Sequence, residues 1–235
     1  MESRVKSCGY VRGLELVMKW VLVLLGLVIS GARSQDAALV TYGSTVSILH
    51  QNTKCYIFTT KITWANGNQA VTCSTETESV NFYIREADSD YKGAGTPVVC
   101  GESVRLLHTA TEKFVQSNKS AKSMISRQVE IFGGSGEPSS YFRVECEKKS
   151  PGQTIDVKDR VKFYNIEAAG YLSASKKHVF DNRNCPRCPI VGQYEVTISS
   201  RSNSDCLWSF NPIMMLHSSR DSQEGSDDHS RKDEL

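Results

Sequence analysis

A chain of 235 residues, 39% of them hydrophobic and 23% charged, is long enough for one globular domain with a real core. Its net charge is +2, and residues 1–32 alone carry Arg4, Lys6, Arg12 and Lys19 against Glu2 and Glu15, so the remainder is near neutral. That balance excludes a nucleic-acid binder, which needs a basic face to hold phosphate.

The first element is a leader. A basic stretch ends at Lys19, Trp20–Ile29 is wholly apolar apart from Gly26, and Ser30-Gly31-Ala32 supplies small residues. This is the layout of a secretory signal peptide over residues 1–32, cleaved after Ala32 or, as an alternative, after Ser34. A membrane-spanning helix needs roughly 20 apolar residues, about twice this run, so no membrane insertion is expected.

After the leader the chain writes one pattern three times. Gly43–His50 precedes Tyr56–Thr60, Gly101–His108 precedes Phe114–Asn118, and Lys158–Asn165 precedes Tyr171–Ser175. Val46, Val104 and Val161 lie 58 and 57 residues apart, and Tyr56, Phe114 and Tyr171 keep the same two intervals. A period of that length marks a supersecondary unit that cannot bury its apolar face alone, so the copies must pack on one another. Each copy also has a later half: Gln69–Val71 leads to Phe82–Tyr83, Gln128–Val129 to Tyr141–Phe142, and Gln193–Val196 to Leu207–Trp208. Short apolar or alternating runs between Asn/Gly/Ser/Thr turns read as strands, four per unit and twelve in all. The expectation is an all-β fold in one domain.

From His217 to Arg231 the sequence turns to Ser, Asp and Gly, a flexible polar tether. It presents Lys232, Asp233, Glu234 and Leu235, the retrieval address of the endoplasmic reticulum, which predicts residence in that lumen and recognition by the KDEL receptor.

Eight cysteines in an oxidising lumen read first as a disulfide framework. Cys8 leaves with the leader, so seven remain and at least one stays outside any internal pair. Cys185-Pro186-Arg187-Cys188 invites a redox reading, but it lacks a helix N-terminus and a thioredoxin-like context. A short structural disulfide, or pairing with Cys206, is the reading preferred here. The pairing of Cys55 and Cys73 is open at this stage. Zinc would need four ligands at matched spacing, and only one such doublet exists. His50, His108, His178, His217 and His229 suggest no nucleophile–base–orienter set, and no metal, cofactor or catalytic residue is expected. Asn118-Lys119-Ser120 is an N-glycosylation acceptor if its loop is exposed.

The Gly-x-x-Val-x-Leu-x-His start, the Gln-x-Val third strand and the closing aromatic resemble the MIR motif of protein O-mannosyltransferases and intracellular calcium-release channels. Three copies between a signal peptide and a retrieval tail resemble the stromal cell-derived factor 2 family, which has segments similar to Thr96–Gly101 and Asp156–Phe163. The resemblance covers residues 38–216 and implies a β-trefoil, a six-stranded barrel capped by three hairpins, with repeats at about 40–92, 99–147 and 155–210. It also places cysteines at Cys100 and Cys146, the two ends of the second repeat, and so implies a disulfide between them. The corresponding family pair in the first repeat falls at Tyr42 and near Tyr91, where this chain has neither cysteine. The family's second strand often reads Leu-His-Ser-His, whereas Ile57–Thr60, Val115–Asn118 and Leu172–Ser175 contain no histidine.

By the same resemblance the chain is a non-enzymatic protein of lumenal quality control. It would work with an endoplasmic reticulum J-domain co-chaperone and BiP on misfolded secretory clients, within the unfolded protein response. The alternative is a lectin-like module that binds carbohydrate. The multi-spanning segments that carry the chemistry of O-mannosyltransferases are absent. The contact surfaces expected are three polar inserts between second and third strands, Lys61–Gln69, Ser117–Arg127 and Lys176–Gly192.

Overall fold

Alternating apolar residues dictate which strands can share a core, because successive side chains on a strand point to opposite faces. Val46 and Ile48, Val104 and Leu106, and Val161 and Phe163 alternate in this way, and all six are fully buried. The structure, a computed structural model, describes residues 38–78, 80–87 and 91–218. The signal peptide read over residues 1–32 and the retrieval residues Lys232–Leu235 lie outside the described residues.

The described residues form an all-β fold. Their twelve strands are β1 (Thr45–His50), β2 (Tyr56–Thr63), β3 (Gln69–Ser74), β4 (Phe82–Glu86), β5 (Ser103–His108), β6 (Lys113–Lys122), β7 (Val129–Gly134), β8 (Phe142–Cys146), β9 (Val161–Asn165), β10 (Gly170–Val179), β11 (Tyr194–Ser199) and β12 (Trp208–Met214). Short helical turns at Pro138–Ser140 and Ser204–Cys206 precede β8 and β12. Among the described residues no helix is long and apolar enough to cross a membrane.

Six strands close a ring, every pair antiparallel. β1 pairs with β4, β4 with β5, β5 with β8, β8 with β9, β9 with β12, and β12 returns to β1. The register repeats with the sequence period: Val46 faces Phe82, Val104 faces Phe142, and Val161 faces Trp208. Between units, Ile84 faces Leu106, Val144 faces Phe163, and Ile48 faces Phe210. These side chains form the core, where Phe163 meets Phe142 and Phe210 edge to face. Such pairs contribute about 0.5–1.5 kcal/mol beyond the area they bury. A closed ring also leaves no free barrel edge to template aggregation.

The other six strands form hairpins β2–β3, β6–β7 and β10–β11. Their return strands meet pairwise, Ala70 opposite Phe132, Glu130 opposite Thr197 and Glu195 opposite Thr72. Each hairpin has a register shift in its outer part, between Thr59 and Thr63, Asn118 and Lys122, and Ala174 and Val179. Gly43 and Gly101 occupy equivalent turns before β1 and β5, both at positive φ (79° and 92°), which a residue with a Cβ adopts at a cost.

Among the described residues three disulfides are present, Cys55–Cys73, Cys100–Cys146 and Cys185–Cys188, closing sequence separations of 18, 46 and 3 residues. Chain entropy alone makes them worth about 3, 4 and 2 kcal/mol respectively. Cys206 is buried and free, which removes it as a partner for the Cys-Pro-Arg-Cys segment. Tyr42 is buried where Cys100 stands in the second repeat, but the β4 position matching Cys146 of β8 is Glu86. Tyr91 lies beyond that strand and is 85% exposed, so within this chain the equivalent of Cys146 is Glu86.

Candidate functional site

The three inserts expected as contact surfaces are shorter loops than the sequence suggested. β2 runs out to Thr63, β6 to Lys122 and β10 to Val179, leaving loops at 64–68, 123–128 and 180–193. Each loop is tied to the neighbouring repeat by a buried polar side chain. Glu130 of β7 accepts from Asn66 Nδ2 at 3.1 Å and from Asn68 Nδ2 at 3.3 Å. Glu195 stands at the equivalent place on β11 and accepts from the Ile125 and Ser126 backbone N–H groups at 2.6 and 2.8 Å. In the first repeat that place is taken by Ala70. There the third loop is held instead by the ring of Phe180, 5.7 Å from that of Trp64, and by Thr72 Oγ1 donating to Gln193. Thr197 Oγ1 donates to Gln128 in the matching position, at 2.8 Å.

Beside the Glu130 and Glu195 contacts lies a surface pocket of about 240 Å³ lined by Trp64, Met124, Ile131 and Val196, with Asn66, Glu130 and Glu195 among its polar wall residues. The indole N–H of Trp64 is buried without a hydrogen-bond partner among the described residues. Met124 is 45% exposed at the rim. The inserts are therefore not only polar. They carry a small apolar concavity, which the hydrophilic composition of the loops concealed. A second, more polar groove lies nearby, lined by Asn68, Gln69, Gln116, Lys113 and Glu137 around Phe132.

The other residues singled out in the sequence fall elsewhere. His50 and His108 end β1 and β5 and are buried. His50 is 2.7 Å from Thr53 Oγ1 through Nδ1, and its Nε2 donates to the Asp205 carbonyl at 2.9 Å. Burial pushes its pKa below the usual histidine range, against the smaller pull of the Asp205 carbonyl. Asn165 takes the same place in the third repeat, donating to the Ser139 carbonyl at 2.7 Å. These are packing positions. His178 is half-buried and His217 exposed. Among the described residues no group of His, Cys, Asp and Glu is arranged to hold a metal ion. Asn118 lies within strand β6, not in a loop; its Oδ1 accepts from Ser120 N–H at 3.1 Å, and the side chain is half-buried.

The residues that sequence reasoning missed are Trp64, Glu130 and Glu195. The only signal was the recurrence of Gln-x-Glu-apolar at 128–131 and 193–196, with Asn68 and Ala70 breaking it in the first copy.

No family model matches the chain. It is 28% identical over 229 residues to stromal cell-derived factor 2-like protein 1 of Mus musculus, covering 94% of this chain and 98% of that protein. The Homo sapiens protein of the same name is 29% identical over 199 residues, covering 79% and 85%. Among solved structures, the SDF2-like protein from Arabidopsis thaliana superposes with a TM-score of 0.69 at 22% identity, covering 77% of this chain and 99% of that one.

Proposed function

We propose that this chain, a member of the stromal cell-derived factor 2-like family, is a β-trefoil of three MIR repeats that acts by binding, as an adaptor in lumenal protein quality control. The partners proposed are an endoplasmic reticulum J-domain co-chaperone and BiP, and the clients are misfolded secretory chains. Lys232, Asp233, Glu234 and Leu235 make it a retained lumenal resident in this reading, and Asn118 a glycosylation acceptor. It has no turnover of its own.

One observation carries the reading. The alternating apolar faces of the ring strands are consumed by the core, apart from Ile213 and Met214 at the exposed end of β12, while the loop end keeps an apolar concavity framed by Trp64 and Met124. A rim-and-loop surface of this size suits a modest, transient interface. The test is affinity purification of the tagged protein from endoplasmic reticulum lumen. A J-domain protein and BiP should be recovered in excess over other lumenal proteins. Met124→Asp, at the exposed rim, should lower that recovery about tenfold if the concavity is a contact. Deleting residues 232–235 should send the protein into the medium, and full intracellular retention would defeat the localisation.

The polar groove lined by Phe132 and the amide side chains of Asn68, Gln69 and Gln116 favours a second reading as a carbohydrate-binding module. Recovery of neither chaperone, together with selective binding to a mannose-bearing glycan, would establish that alternative.

A further inference from the structure

We propose that the Cys185–Cys188 disulfide is a thiol-exchange site, open to the thiolate of glutathione or of a cysteine-bearing peptide. The inference rests on the 180–193 loop and is independent of any chaperone partner.

The disulfides differ in surroundings. Cys55, Cys73 and Cys100 are buried in the core, each bonded across strands or repeat ends. Cys185 and Cys188 sit on a surface turn, partly exposed, between exposed Pro186, Arg187 and Pro189. Theirs is also the shortest closure, so it restrains the unfolded chain least.

The loop does not need that bond to keep its place. Phe180 N–H donates to the Gln193 carbonyl at 2.9 Å, and Gly192 N–H donates to the Phe180 carbonyl at 2.8 Å. Phe180 and Ile190 are buried at its base. Nearer the tip, Cys185 N–H donates to the Asp181 carbonyl at 2.8 Å, and Asn184 Nδ2 donates to the Val179 carbonyl at 2.8 Å. Opening the disulfide therefore frees only the turn from 185 to 188.

The electrostatics favour a thiolate there. Within the 180–193 loop Arg183 and Arg187 stand against one acid, Asp181. The Asp181 carboxylate already accepts from Arg183 Nε at 3.2 Å and from the Arg183 and Asn184 backbone N–H groups at 2.9 Å. Cationic surroundings lower a thiol's pKa and make it a better leaving group. Cys206, the free thiol among the described residues, is the opposite case. It is buried, burial pushes its pKa up, and its S–H faces the Arg201 carbonyl and Asn203 Oδ1.

In the exchange, an incoming thiolate attacks one Sγ of the pair. A new S–S bond forms to that sulfur as the Cys185–Cys188 bond breaks, and its electron pair leaves on the other Sγ, which takes a proton from solvent. A second thiolate attacking the mixed disulfide releases the incoming groups as their own disulfide and leaves the dithiol. The two electrons come from the attacking thiols.

The full chain would be equilibrated in graded reduced and oxidised glutathione, quenched with acid, and its cysteines mapped by differential alkylation and mass spectrometry. Cys185 and Cys188 should open at a thiol level where Cys55–Cys73 and Cys100–Cys146 are at least about tenfold less open, with far-ultraviolet circular dichroism unchanged. Simultaneous opening of all three pairs, or earlier opening of either core pair, would overturn the proposal. In Cys188→Ser, the thiol left at Cys185 should capture oxidised glutathione and a disulfide-activated cysteine peptide, read as separate mass additions, in preference to Cys206. Capture of one and not the other identifies the source of the thiol; capture of neither sinks the site.

Discussion

At the end of the first strand of each repeat a polar side chain is buried against an aromatic ring. His50 lies with its ring 4.6 Å from that of Trp208, His108 is 5.3 Å from Phe82, and Asn165 pairs in register with Phe142. The position asks for a donor to a carbonyl of the helical turn that leads into the paired strand, which His50 meets at Asp205 before β12 and Asn165 at Ser139 before β8. It does not ask for a charge. Because burial lowers the His50 pKa from 6.5, the unfolded chain binds a proton there before the folded one does. The stability this site contributes is therefore complete above about pH 6.5 and is lost as pH falls from there through the lower folded value. His50→Asn keeps the donor and removes the titration. Urea unfolding from neutral pH down to about pH 5 should show the wild type losing stability faster than the variant. At neutral pH the two should differ by only about 1–2 kcal/mol. Parallel pH profiles would show that His50 is not the titrating group.

At the scale of elements, the hairpins are held at their tips by neighbours. Glu195 accepts two backbone N–H groups of the 123–128 loop from about 70 residues away in sequence. Glu195→Ala leaves those donors without their acceptor, a loss of about 1.5–3 kcal/mol for hydrogen bonds to a charged group. Glu195→Gln, which keeps one carbonyl oxygen, should lose less. Hydrogen exchange should locate the effect, with protection falling at Ile125 and Ser126 and staying unchanged in β1 and β5. This layer was the part least legible in the sequence. The barrel strands could be read because Val46, Val104 and Val161 and their following aromatics obey a local alternation and a fixed period. The Glu130 and Glu195 contacts obey neither, since each depends on which repeat lands beside it. Trp64 was equally opaque: in a loop of Asn and Gly it reads as an exposed aromatic until Phe180 arrives from the third repeat. The Cys55–Cys73 pair has no counterpart in the other repeats, where Lys113 with Gly133 and Gly170 with Ile198 take its place, so the period gave no guide to it.

For the whole molecule, ring closure joins the first strand to the last, and six β1–β12 register pairs do the joining. No repeat can release its strands without opening a seam in the barrel, so unfolding should be one cooperative transition. The disulfides test this, because they act mainly on the unfolded chain and leave the ring's pairing in place. Removing Cys100–Cys146 by the paired change to Ala deletes the longest closure, 46 residues, inside the second repeat. The expected loss is about 4 kcal/mol, a fall in Tm of roughly 8–16 °C for a domain of this size. Cys185→Ser with Cys188→Ser should cost no more than about 2 kcal/mol. Differential scanning calorimetry with coincident circular dichroism measures both, and in each variant the calorimetric and van't Hoff enthalpies should agree. A second transition in the Cys100→Ala, Cys146→Ala protein would mean that the middle repeat melts on its own. The closed ring would then be three coupled units and not one.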